Sequence, residues 1–131
     1  MKKAEILESK SSPSHSLHLR DLALTSSDIA AIASCLKQEE NHLLNSISFS
    51  YNHHLGDSGA IALSKNLPKS ICEIGLVNCG ISDLGGIEML NWMNNAPNLR
   101  MICMEQNNFS ESLKFEFNKF SAANPSILVV Y

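Results

Sequence analysis

Leu44-Asn45-Ser46-Ile47-Ser48-Phe49-Ser50-Tyr51-Asn52 places apolar residues first, fourth and sixth and an asparagine ninth. Ile71-x-x-Ile74-x-Leu76-x-x-Cys79-x-Ile81 repeats the pattern, and Leu99-x-x-Ile102-x-Met104-x-x-Asn107-x-Phe109 repeats it again. Leu44, Ile71 and Leu99 are almost evenly spaced along the chain. Recurrence at this period decides the fold. One unit cannot bury its apolar face alone, so successive units stack into a solenoid that shares a continuous core.

The pattern extends both ways. Upstream, Leu17-x-Leu19-x-x-Leu22-x-Leu24 matches its second half, with Ser14 in the first place, slightly more than one period before Leu44. Downstream, Ile127-x-x-Val130 opens a fifth strand one period after Leu99, and Tyr131 follows. This amounts to about four repeats and a terminal strand. Each strand precedes a segment with apolar residues at helical spacing. The stripes are Ile29, Ile32, Ala33 and Leu36; Ala60, Leu63 and Leu67; Ile87, Leu90 and Met93; and Leu113, Phe117 and Phe120. Ser27-Asp28 is the expected cap of the first helix. Pro68, Pro97 and Pro125 follow three of these segments, where proline stops a helix and extends the chain toward the next strand.

A unit of about 28 residues with a full helix resembles the ribonuclease-inhibitor-like class of leucine-rich repeats. The resemblance covers residues 14–131, with residues 1–13 as a loose tail or a short cap over the first coil. It implies an α/β fold: a short curved solenoid with a parallel sheet on the concave face and helices on the convex face. Asn52, Asn107 and Cys79 would then bond backbone between neighbouring repeats. The resemblance also implies that Gly56-Asp57-Ser58-Gly59 and Ser82-Asp83-Leu84-Gly85 are strand-to-helix turns, in which Asp or Ser caps the helix. Neither loop fits the G-x-x-x-x-G-K-[ST] pattern of a phosphate cradle.

Bulk properties bound the function. Net charge is −3, from 10 basic and 13 acidic residues, which argues against non-specific nucleic-acid binding. No apolar run approaches the ~18 residues of a membrane helix. Glu5 and Glu8 interrupt the apolar segment that a secretory signal needs, so a cytoplasmic protein is expected. Cys35, Cys72, Cys79 and Cys103 have no C-x-x-C spacing and read as reduced thiols. No G-x-S-x-G motif and no Cys–His pair selects an enzyme, and no cofactor is implied.

Side chains alternate along a strand, which places the residues between the apolar positions on the concave face. One row is His18, Ser48, Gly75, Cys103 and Tyr131. Flanking rows are Arg20, Ser50, Val77 and Glu105, then Ser16, Ser46, Glu73, Met101 and Val129, then Asp21, Tyr51, Asn78 and Gln106. The expected protein-binding residues are His18, Arg20, Ser48, Ser50, Tyr51, Glu73, Val77, Met101, Cys103, Glu105, Val129 and Tyr131. Val77, Met101, Cys103, Val129 and Tyr131 make the C-terminal half an apolar patch, which marks a protein contact. The leading reading is a non-catalytic scaffold that binds another protein. One alternative is metal or ligand binding by His15, His18, His53 and His54, with His42 isolated. Against it, zinc needs three or four converging ligands. Another is self-association, two copies joining through the C-terminal edge strand, which offers unpaired backbone. Similar repeats occur in effectors of intracellular bacteria, for which the site of action would be a host cytosol.

Overall fold

Three residues of each repeat take up extended backbone and pair side by side. In a computed structural model that describes residues 15–39 and 43–131, β1 (Ser16–His18), β2 (Ser46–Ser48), β3 (Glu73–Gly75), β4 (Met101–Cys103) and β5 (Leu128–Val130) form one parallel sheet in chain order. Parallel neighbours need a crossover. Four helices supply it: α1 (Ser26–Glu39), α2 (Gly56–Asn66), α3 (Asp83–Asn94) and α4 (Glu111–Ala123). The α/β class and the parallel order follow the expectation. The expectations for residues 1–13, Ser14 and His42 lie outside the described residues.

The register explains why the pattern recurs. Leu17, Ile47, Ile74, Ile102 and Val129 pair across the sheet in one line. Leu19, Phe49, Leu76 and Met104 lie two positions further on and are fully buried. Burying a side chain of this size contributes about 1.5–3 kcal/mol. The helices close the core with Ile29, Ile32, Ala33 and Leu36 of α1, Ala60 and Leu63 of α2, and Leu113, Phe117 and Phe120 of α4.

Two expectations of burial and register are corrected. In α3 the buried face is Gly85, Gly86, Met89 and Met93, whereas Ile87 is 48% exposed. The glycines bury because α3 packs so closely: a Cβ on Gly86 would stand 2.6 Å from Leu113 Cδ2. The fifth strand is also out of register by a single position. Leu128 pairs with Met101, Val129 with Ile102 and Val130 with Cys103. Val129 therefore packs toward the core, and Tyr131 lies 5.5 Å from the Phe117 ring, so neither joins the outward rows. The step from Met101 to its partner Leu128 is shorter by one position than the step from Pro97 to Pro125. The lead-in to β5 is short by that much, and a slip of one position moves every side chain to the other face.

Beyond each of the first four strands the chain turns through left-handed backbone at Asp21, Tyr51, Asn78 and Gln106. In the second and fourth repeats the next residue is an asparagine that ties neighbours together. Asn52 Oδ1 accepts from the Leu22 and Leu24 amides, and its Nδ2 donates to the Leu19 and Phe49 carbonyls. Asn107 makes the same four bonds to Cys79, Ile81, Leu76 and Met104. Cys79, at this place in the third repeat, donates its thiol to the Phe49 carbonyl at 3.3 Å.

A second tie runs the other way along the chain. Asp57 Oδ1, in the first turn of α2, accepts from the Ser82 and Gly85 amides at the start of α3. Asp83 of α3 likewise accepts from the Ser110 amide and hydroxyl ahead of α4. Each aspartate thus serves the following helix rather than its own. Ser110 in turn caps α4 by accepting from the Leu113 amide. The start of α1 is closed locally by a reciprocal pair between Thr25 and Asp28, instead of the expected Ser27-Asp28 cap.

Candidate functional site

The outward face of the sheet carries no helix among the described residues. Arg20, Ser48, Ser50, Tyr51, Glu73, Val77, Met101, Cys103 and Glu105 line one groove of about 300 Å³ there, together with Ser46, Ile47, Ile74, Gly75 and Gln106. All nine of the former were expected contact residues. His18 is exposed on the same face of β1 but does not line the groove. Val129 and Tyr131 are on the core side, and Leu128 and Val130 take their rows.

Gly75 sets the depth. It stands between Ser48 and Cys103 in the register and offers no side chain. A Cβ there would lie 2.9 Å from Ser48 Oγ and 3.0 Å from Ser50 Oγ, so any other residue would fill the notch and displace both serines. Ser50 is buried and its hydroxyl accepts from the Val77 amide at 3.0 Å, which fixes that wall. Val77 and Met101 are half-buried and form the apolar part of the lining.

The charged groups are spread over the groove. The Arg20 guanidinium sits 5.2 Å from the centre of the Tyr51 ring, a cation–π contact. Glu73 on β3 and Glu105 just past β4 have no ion-pair partner among the described residues. Glu105 Oε1 is shut off from solvent and has no hydrogen-bond partner among the described residues. Burial, then the charges of Glu105 and Glu73, push the Cys103 thiol up. That keeps it protonated and weak as a nucleophile. Burial drives the Cys79 thiol up to about 11, in keeping with a packing role.

The four described histidines do not converge. His53 Nδ1 lies 3.3 Å from Asn78 Oδ1, and His15, His18 and His54 are exposed. No three His, Cys, Asp or Glu side chains among the described residues are placed to hold a metal ion. No helix among them is long and apolar enough to cross a membrane. Compared with known proteins, the chain matches no family model and no curated sequence.

The sequence reading missed the notch at Gly75 and the cross-repeat service of Asp57 and Asp83. The signal for the second was present: an aspartate opens a helix in two repeats, and Ser82 and Ser110 stand one repeat further on.

Proposed function

We propose that this chain is a short, curved leucine-rich-repeat solenoid of the ribonuclease-inhibitor-like type. It acts in the cytoplasm as a non-catalytic scaffold and binds another protein through the concave face of its sheet. The observation that carries this reading is the groove on the uncovered face. Its lining comes from four successive repeats, so one ligand there contacts all of them at once. It sets half-buried apolar side chains among charged and hydroxyl groups, as an interface surrounds its apolar centre with a polar rim.

The test is site-directed photocrosslinking in a lysate, with the photoreactive side chain at Met101 on the sheet face or at Leu84 on the helix side. Crosslinks from Met101 that vanish on Val77→Asp, with none from Leu84, are the expected result. Equal labelling from both positions, or none, overturns the reading. Val77→Asp stays folded because Val77 is half-buried, whereas Leu76→Asp puts a charge in the shared core and unfolds the chain.

A second reading is favoured by β5. Among the described residues it pairs with β4 alone, and its Leu128 is 57% exposed. Two copies pairing there would give a concentration-dependent mass that Leu128→Lys abolishes.

A further inference from the structure

The groove holds two carboxylates that nothing among the described residues neutralises. Arg20 is its one cationic side chain among those residues, and it lies over Tyr51. One Glu105 oxygen is out of solvent without a donor, although buried acceptors are ordinarily satisfied. Beside it the register leaves a slot: Gly75 offers no side chain, and Val77 and Met101 stand as apolar neighbours. An unmatched carboxylate beside an apolar slot suits a side chain with an aliphatic stem and a cationic, multi-donor head.

Resting on the reading of this face as a protein-binding surface, we propose that the groove takes an arginine from the partner, with its guanidinium on the Glu105 carboxylate and its stem over Gly75 between Val77 and Met101. Arginine fits better than lysine here. Its planar head is more weakly hydrated and presents a fork of donors, so it loses less on entering a half-dry site and can bond the Glu105 oxygen that is not shut off from solvent. Glu73 adds a second negative charge at the other end of the groove and draws the cation in.

The test is an amide chemical-shift titration of the ¹⁵N-labelled full chain with a capped Gly-Gly-Arg-Gly-Gly peptide. The same peptide with citrulline keeps the shape and removes the charge. The expected result is saturable shifts at Gly75, Val77 and Glu105, with citrulline weaker by about tenfold or more, the usual size of one charge-assisted pair. Glu105→Gln should erase that preference and leave the thermal midpoint where it was. Equal binding of the two peptides, no binding of either, or an arginine preference that survives Glu105→Gln overturns the assignment. If it falls while the Met101 crosslink is still lost on Val77→Asp, the binding face stands and only the arginine is wrong. If that crosslink fails as well, both are wrong.

Discussion

Asn52→Ala isolates the tie between the first two repeats. Asn52 is fully buried and makes four bonds of 2.7–3.1 Å to backbone of both repeats. Each contributes about 1 kcal/mol net, and a donor left buried without a partner costs about 1–3 kcal/mol more. The Leu24 amide is such a donor. Leu22 is exposed, so water replaces part of its loss, and the Phe49 carbonyl keeps the Cys79 thiol. The expected sum is about 3–5 kcal/mol, a large share of the roughly 5–15 kcal/mol that holds a domain folded. Urea unfolding followed by circular dichroism should show the midpoint falling with an unchanged slope. Asn107→Ala should cost less, because its four bonds are only partly buried. A loss under about 1 kcal/mol for Asn52→Ala would falsify the reasoning, since it would mean that the unpaired groups find water inside the fold.

Three other outcomes are expected. Cys79→Asn restores the side chain that the other two repeats use and should raise stability by about 1 kcal/mol, read as a higher urea midpoint. Gly80→Ala should destabilise by about 2 kcal/mol or more: Gly80 has φ +67°, and a Cβ there meets the His53 carbonyl oxygen, a backbone atom that cannot step aside. Thermal unfolding of the variant checks this, and an unchanged midpoint would count against it. Burial pushes the Asp57 carboxyl up, but hydrogen bonds from the Ser82 hydroxyl and the Ser82 and Gly85 amides outweigh it, so its folded-state pKa is lowered. A lowered folded-state pKa gives stability that is present above the unfolded value of about 4 and is lost as pH falls through the folded one. Asp57→Asn should therefore lower stability at neutral pH and flatten its decline below about pH 4; an unchanged acid profile would show that the carboxylate is not linked to folding.

The sequence was legible where chemistry and geometry share a period. Ile47 and Ile74 alternate with polar or small neighbours, so one pattern gives strand, face and register together. Ile127-Leu128-Val129-Val130 offers no alternation, and either register buries something apolar, so spacing alone misplaced Val129 and Tyr131. Gly85 and Gly86 mislead in the opposite sense: they are buried through closeness, which a hydrophobic stripe does not record, and the stripe picks out Ile87 in their place. The groove was visible as rows of outward residues, but its depth was not. Depth depends on a side chain that Gly75 lacks and on how Ser48 and Ser50 lean over the gap.

The aspartate and asparagine ties limit how such a chain can change length. Asn107 reaches back one repeat for its partners, while Asp57 and Asp83 reach forward. A deletion ending at arbitrary points strands one half of each latch: amides without their asparagine on one side, a helix start without its carboxylate on the other. A cut between equivalent positions, such as Asp57 and Asp83, leaves every remaining latch with a matching half. Insertions and losses are thus quantised in whole repeats by two small side chains, and a change of part of a repeat disturbs a neighbour it never touched.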